Sequence, residues 1–241
     1  MSLKDTSVYF FDEIDSTNSE ARRRLLSGLA LPALFIARRQ TAGRGRRGRS
    51  FYSEGGLYMT LALPPQSAFD AVPITAYAAS ATAMAIEELC GVKTGIKWVN
   101  DIFVSGKKVC GILAEAVTDP ETGKALGLII GVGVNLNSVI PEELEGIAGS
   151  IICPDLSPET LAKAITDKML AAFSNKQAYM AYYRTHSMVL GQKVRYVQND
   201  VTYDAVALDI DDMGGLKVLH PDGTTQTLTS GEVTLRIKTD G

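Results

Sequence analysis

Gly95-Ile96-Lys97-Trp98-Val99-Asn100-Asp101-Ile102-Phe103-Val104-Ser105-Gly106-Lys107-Lys108-Val109-Cys110-Gly111-Ile112-Leu113-Ala114-Glu115 reads as extended chain folded back on itself. Ser105-Gly106 supplies the turn between two strand-like runs, a hairpin signature. Period-two alternation predicts Lys108, Cys110, Ile112 and Ala114 on one face, so Lys108 shares its face with apolar residues. A lysine at a strand start commonly points to solvent; burial among apolar neighbours is the competing role. Lys97, Asn100 and Asp101 place polar chemistry inside strand-like sequence. Downstream, a turn at Asp119–Lys124 leads into Leu126–Val134, which ends Gly131-Val132-Gly133-Val134-Asn135-Leu136-Asn137. Glycines within a strand mark close approach by a ligand or another backbone. This Gly-x-Gly does not open a helix, so it fits a dinucleotide fingerprint poorly. Successive hairpins favour a mixed, largely antiparallel sheet over a doubly wound parallel one. With helices on either side, the expected class is α+β.

Upstream, Val8–Phe11 and Ala33–Ala37 are strand candidates. Between them Thr17 and Glu20 fit a capping box and Gly28 a helix stop. Ser16 and Thr17 thus have two readings, as caps or as hydroxyls presented to a polar ligand beside free helix N–H groups. Ala33–Ala37 runs through Arg38-Arg39-Gln40 into Gly43-Arg44-Gly45-Arg46-Arg47-Gly48-Arg49. Three glycines alternate there with four arginines and no acidic residue. Each guanidinium offers a planar fork of donors for carboxylate or phosphate oxygens, and glycine lets backbone approach a ligand closely. The stretch reads as a flexible anion clamp tethered between two core strands, the second being Leu57–Leu63, or more blandly as a solvated basic loop. An alanine-rich helix is expected from Ile74 to Leu89, closed by Gly91.

Ser157-Pro158-Glu159 opens a further helix, with helical character continuing, interrupted, towards Arg184. After Leu190-Gly191 the texture changes to short strands, Lys193–Tyr196, Tyr203–Leu208, Leu216–Leu219, Thr224–Thr227 and Val233–Arg236. They alternate with turns at Asn199-Asp200, Gly214-Gly215 and Asp222-Gly223. The expectation is a small all-β barrel that leans on the first domain, with the boundary between 188 and 189. The chain has 241 residues, 46% hydrophobic, with Lys+Arg 24 against Asp+Glu 27 and a net charge of -3. The basic loop is therefore a local feature on an acidic background. Three scattered cysteines without CxxC spacing suit a reduced, cytoplasmic protein. No signal segment and no apolar run of bilayer length is visible, so no membrane partner is expected. Two histidines make a histidine-rich metal site or a Ser-His-Asp triad improbable.

Four segments taken together resemble biotin protein ligases, and in that family's order. Asp15-Ser16-Thr17-Asn18 is similar to its substrate-binding DSTN, and Gln40-Thr41-Ala42-Gly43-Arg44-Gly45-Arg46-Arg47-Gly48-Arg49 to its glycine-arginine loop. Lys97-Trp98-Val99-Asn100-Asp101 is similar to KWPND, with valine where the family commonly has proline. Lys108-Val109-Cys110-Gly111-Ile112-Leu113-Ala114-Glu115 matches the family's K-hydrophobic-x-GIL-x-E strand. The resemblance covers nearly the whole chain. It implies a class II synthetase-like catalytic domain over residues 1–188 and an SH3-like barrel over 189–241. It also implies ATP-dependent activation of biotin to biotinyl-5′-AMP and transfer to a lysine of a biotin carboxyl carrier protein. Because the first catalytic strand starts almost at once, it implies a ligase without DNA binding. A homodimer is common in the family.

By the same resemblance Arg46, Lys108 and Asp101 carry the chemistry, with Asp101 accepting or orienting the proton of the incoming amine. Ser16, Thr17, Gln40, Gly43, Arg44, Arg46, Lys108 and Gly111 bind biotin. Arg44, Arg46, Arg49, Phe51, Lys97, Asn100, Lys108 and Asn135 serve ATP, with Phe51 where some members have a tryptophan said to cover the adenine. Mg²⁺ accompanies ATP, held largely by phosphates and water, and no dedicated protein metal site is expected. Two other readings remain: a lipoate or octanoate ligase or transferase, and a nucleic-acid-binding module drawn from the arginine run and the small barrel. Net acidity and the lack of aromatic residues within the run weigh against the latter.

Overall fold

The computed structural model describes residues 6–48, 51, 54–65, 71–198, 201–231 and 233–235. Among the described residues, twelve strands and four α-helices follow in the order β1(Ser7–Ile14), α1(Thr17–Leu26), β2(Ala33–Gln40), β3(Glu54–Leu63), α2(Ala71–Cys90), β4(Gly95–Lys97), β5(Asp101–Val104), β6(Lys107–Thr118), β7(Ala125–Val134), α3(Pro158–Ala172), α4(Lys176–Thr185), β8(Lys193–Gln198), β9(Val201–Ile210), β10(Leu216–Leu219), β11(Thr225–Leu228) and β12(Val233–Leu235). The first seven strands form one sheet in the order β1-β2-β3-β7-β6-β5-β4. Only β1 and β2 run parallel; every other neighbouring pair is antiparallel. This is the mixed, largely antiparallel α+β arrangement expected from the hairpins.

The two faces of the sheet are covered differently. On one, α2 and α3 pack over Leu34, Met59, Leu61, Ile112, Ile130 and Val132, and the alanines of α2 from Ala76 to Ala85 are buried. Small side chains let that helix lie close to the strands. On the other, α1 sets Ala21 and Leu25 against Phe35, Ala62, Val117 and Ile129. Helix α1 covers only part of that face, and the remainder is open for a ligand. The helix begins at Ser16, whose Oγ accepts from Ser19 N at 3.4 Å, and ends before Gly28 at φ 84°. The cap is therefore Ser16 rather than Thr17. Glu20 closes no capping box, because Arg24 and Arg23 hold its carboxylate at 2.7 and 2.8 Å.

The face assignment of Lys108 needs correction. Ile102 pairs with Cys110 but the adjacent Phe103 pairs with Lys108, leaving Val109 as an extra residue in β6. Such a bulge puts two successive side chains on the same side and re-aims its neighbours. Val109 and Cys110 are both buried in the core. Lys108 thereby joins Gly111, with its Nζ 3.6 Å from where a Cβ on that glycine would stand.

The last five strands form an antiparallel sheet in the order β11-β10-β9-β8-β12. Among the described residues the pairing runs open from β11 to β12 and does not close into a barrel. The Asn199-Asp200 turn and Arg236 lie outside the described residues. As expected, this unit leans on the first. Val194, Ala207, Leu216 and Val218 belong to the same buried cluster as Ile96 and Trp98. Trp98 Nε1 donates to Gly214 O at 2.9 Å, and Arg184 reaches Ile210 O and Asp212 at 2.5 Å each.

Candidate active site

A cavity of about 430 Å³ opens on the face that α1 leaves uncovered. Its floor follows from the register. Asp101, Gly111 and Gly133 are direct partners across β5, β6 and β7, with Lys97 beside Asp101 on β4. One turn of the pleat further on, Leu113, Gly131 and Thr60 are partners. The glycines thus form a strip of bare backbone flanked by charged residues at one edge. Ser16, Thr17 and Asn18, at the start of α1, overhang one end of that strip.

Neighbours already fill the space above these glycines. A Cβ on Gly131 would stand 2.1 Å from Asn18 Oδ1, and one on Gly133 would stand 2.7 Å from Phe51 Cε1. Phe51 thus sits over Gly111 and Gly133, with its ring centre 5.9 Å from Lys108 Nζ. At the polar end, Gln40 Oε1 accepts from Thr17 N at 2.8 Å and lies 3.2 Å from Thr17 Oγ1. Thr17 Oγ1 lies 2.8 Å from the fully buried Thr60 Oγ1. Behind the helix start, Arg23 holds Asp15 through a two-pronged contact of 2.7 and 2.9 Å. That guanidinium draws the Asp15 carboxyl down to about 2.

At the other end, Lys108 Nζ and Asp101 Oδ1 are 2.7 Å apart and both partly buried. Arg46 belongs to a single 3-10 turn, Arg46–Gly48. It donates to Asn100 Oδ1 at 3.3 Å and to Gly231 O at 3.0 Å. Asn100 is itself fixed by its Nδ2, which donates to Ile112 O at 2.9 Å. The Trp98–Val99 peptide just before it is cis. Val233 and Thr234 of β12 complete the wall. Among the described lining residues, Arg44, Arg46, Lys97 and Lys108 are cationic and Asp101 alone is anionic. Such a surplus of positive charge on low-dielectric walls attracts and holds polyanions.

Of the residues singled out from sequence, Ser16, Thr17, Gln40, Arg44, Arg46, Phe51, Lys97, Asn100, Asp101, Lys108 and Gly111 converge on this cavity. Gly43 does not line it; its carbonyl instead accepts from Phe51 N at 2.9 Å, anchoring the loop's exit. Asn135 also stands apart, buried, with Nδ2 on Gly149 O at 2.9 Å. Arg49 lies outside the described residues. Asn18, Thr60, Trp98, Leu113, Val233 and Thr234 were not picked out as site residues. The glycines of β7 signalled a close approach, but nothing local in the last strand signals that it reaches this cavity.

Comparison with known proteins agrees with this geometry. Residues 10–135 match the model of the biotin/lipoate A/B protein ligase family, and residues 189–236 that of the biotin protein ligase C-terminal domain. The bifunctional ligase/repressor BirA of Bacillus subtilis is 32% identical over 232 residues, covering 90% of this chain and 70% of that protein. The biotin–[acetyl-CoA-carboxylase] ligase of Paracoccus denitrificans is 31% identical over 243 residues, with 91% and 96% covered. Among solved structures, the biotin protein ligase from Aquifex aeolicus in complex with biotin and ATP superposes with a TM-score of 0.79 at 26% identity, covering 95% of this chain and 98% of that one. The Leishmania major enzyme in complex with biotinyl-5-AMP gives 0.63 at 26%, covering 93% and 99%. With a family model spanning more than half of its length and relatives above 30% identity along most of theirs, the chain belongs to the biotin protein ligases of the biotin/lipoate A/B protein ligase family.

Proposed function

We propose that this cavity activates biotin with ATP and passes the biotinyl group to a lysine of a biotin carboxyl carrier protein. The observation that carries the reading is the polarity of the cavity, with hydroxyls and amides at the α1 end and Arg46, Lys97 and Lys108 gathered around the carboxylate of Asp101 at the other. Biotin is an apolar body with a ureido group at one end and a carboxylate at the other, so it matches that gradient. The chemistry needs neutralised charge and alignment, not a protein nucleophile.

In the first step the carboxylate of biotin attacks the α-phosphorus of ATP, expelling pyrophosphate and leaving biotinyl-5′-AMP. Two anions must meet, and Arg44, Arg46, Lys97 and Lys108 offset their repulsion. Lys108 serves both the carboxylate and the α-phosphate. Arg46 closes over them from the loop, and Arg49 is assigned to the same role. Phe51 offers its ring to the adenine, and the peptide edge at Gly111 faces biotin. Ser16, Thr17 and Gln40 hold the ureido group. Mg²⁺ enters with ATP on phosphate oxygens. Among the described residues no group of three or more His, Cys, Asp or Glu could hold a metal.

In the second step a neutral lysine amine of the carrier attacks the acyl carbon, AMP leaves, and the amine's proton is lost. In this reading Asp101 orients that amine and accepts the proton. Residues 1–188 form the catalytic domain and 189–241 the C-terminal domain in this reading. The three cysteines are unpaired, which supports a reducing, cytoplasmic setting, and no described helix is long and apolar enough to cross a membrane. A homodimer belongs to the same reading and is tested by sedimentation. The decisive experiment is exchange of labelled pyrophosphate into ATP with and without biotin, with lipoate as competitor. Exchange that ignores biotin, or responds to lipoate instead, refutes the assignment.

A further inference from the structure

Resting on the biotin ligase reading, we propose that Thr60 is a positioning residue: through Asn18 and Thr17 it fixes which groups at the α1 end of the cavity donate and which accept. Thr60 is fully buried on β3 and does not line the cavity, whereas Thr17, Asn18 and Gln40 do. Both ends of the network have fixed polarity. Asn18 Nδ2 lies 3.2 Å from Glu115 Oε2 and 3.4 Å from Leu113 O, and a carboxylate and a carbonyl can only accept. The amide nitrogen of Asn18 must therefore face them, which turns Oδ1 to Thr60 Oγ1 at 2.6 Å. Glu115 is anchored in turn by Arg22 at 3.2 Å.

Thr60 has one hydroxyl proton and two oxygens within reach, Asn18 Oδ1 at 2.6 Å and Thr17 Oγ1 at 2.8 Å. A carboxamide oxygen can only accept, so the proton goes to Asn18. Thr17 Oγ1 in turn has two acceptors inside the network, Thr60 Oγ1 at 2.8 Å and Gln40 Oε1 at 3.2 Å, so its proton is held inward. That leaves the outward side of Thr17 Oγ1 as an acceptor. Next to it, the backbone N–H of Thr17 fixes Gln40 Oε1 as an acceptor at 2.8 Å, making the other end of that amide a donor. An acceptor beside a donor complements a cyclic urea, whose N–H donates and whose carbonyl accepts. A dithiolane or an alkyl chain answers neither group, and buried polar groups left unanswered discriminate strongly.

Valine copies the shape of threonine without its proton, and serine keeps the proton. Pyrophosphate exchange is measured for the wild type, Thr60→Val and Thr60→Ser, titrating biotin, desthiobiotin (which keeps the urea and lacks the thioether ring) and ATP. In Thr60→Val the KM for biotin and for desthiobiotin should rise together by about tenfold, the value of one hydrogen bond of this kind. The KM for ATP and kcat should stay within about threefold, and Thr60→Ser should behave as wild type. An unchanged biotin KM in Thr60→Val overturns the proposal. So does an equal rise for ATP, a desthiobiotin KM that does not move, or a serine variant as impaired as the valine one. Should Thr60→Val fail to fold, Glu115→Gln tests the far end of the network. Its amide cannot accept from both Arg22 and Asn18, so the biotin KM must rise selectively; no rise is fatal to the idea. A wild type without biotin-dependent exchange removes the functional reading and this proposal together, whereas an active wild type with a normal Thr60→Val removes only this one.

Discussion

Gly131→Ala is the sharpest test of how the cavity floor is built. Gly131 lies in the middle of β7, paired with Thr60 on one side and Leu113 on the other. Its backbone is ordinary strand, so alanine brings no conformational penalty and the whole effect is steric. The new methyl would stand 2.1 Å from Asn18 Oδ1, 2.8 Å from its Cγ and 2.9 Å from its Nδ2. All three atoms of the carboxamide are in the way, so a small shift cannot relieve the clash and Asn18 must rotate out. It then loses its bonds to Thr60 and Glu115 at about 1 kcal/mol each, and a buried hydroxyl is left without its acceptor. A loss of about 2–3 kcal/mol should lower the melting temperature by about 5–10 °C in a chain of this size. The displaced amide intrudes where biotin is held, and the biotin KM should rise on the order of 30-fold, the equivalent of about 2 kcal/mol. Scanning calorimetry and biotin-dependent pyrophosphate exchange measure the two effects. Gly146→Ala is the control, since a Cβ there meets nothing within 4 Å and the backbone φ is not positive. If Gly131→Ala melts and binds biotin like the wild type, Asn18 is not locked in place and the account of the floor is wrong.

Three further outcomes are expected. Arg46→Gly removes the contacts to Asn100 and Gly231; free biotinyl-AMP and stray lysine biotinylation should both increase, and no change in either would remove Arg46 as the retaining residue. Lys108→Ala should slow adenylate formation by about 100-fold or more while transfer from supplied biotinyl-AMP falls much less; equal loss in both half-reactions would refute the split. Asp15 is held near 2 in the fold against an ordinary 3.8, so its contribution to stability is present above 3.8 and fades as the pH falls through about 2. Asp15→Asn should flatten that part of the acid unfolding curve, which urea melts between those limits would reveal.

Much of this architecture could be read from the chain because hairpins announce themselves locally. Ser105-Gly106 forms the turn, with φ of 50° and 77°, and the runs on either side alternate as a half-buried sheet should. The short strands after Gly191 were legible for the same reason. The extra residue at Val109 was not. A bulge depends on how β5 and β6 pair, and no single strand encodes that pairing. It reversed the face of Lys108, bringing it to the open side of the sheet. Ser16 and Thr17 had two local readings, and the structure divides them: Ser16 caps the helix while Thr17 turns to Gln40 and Thr60. Thr60 itself carried no signal, since a threonine among apolar strand residues is unexceptional until Asn18 comes to rest against it. Asn135 stands in a motif that resembles a ligand contact, and the sequence did not show that its Nδ2 would meet Gly149 O at 2.9 Å.

The cavity is assembled from Ser16 near one end of the chain and from Val233 and Thr234 near the other. A ribosome releases these pieces far apart in time, since Arg46 and the Gly231 carbonyl it grips are 185 residues apart. A chain halted before residue 231 would lack both that contact and the wall that Val233 and Thr234 supply. The mouth of the reaction vessel is thus finished only when two distant stretches of the chain have met.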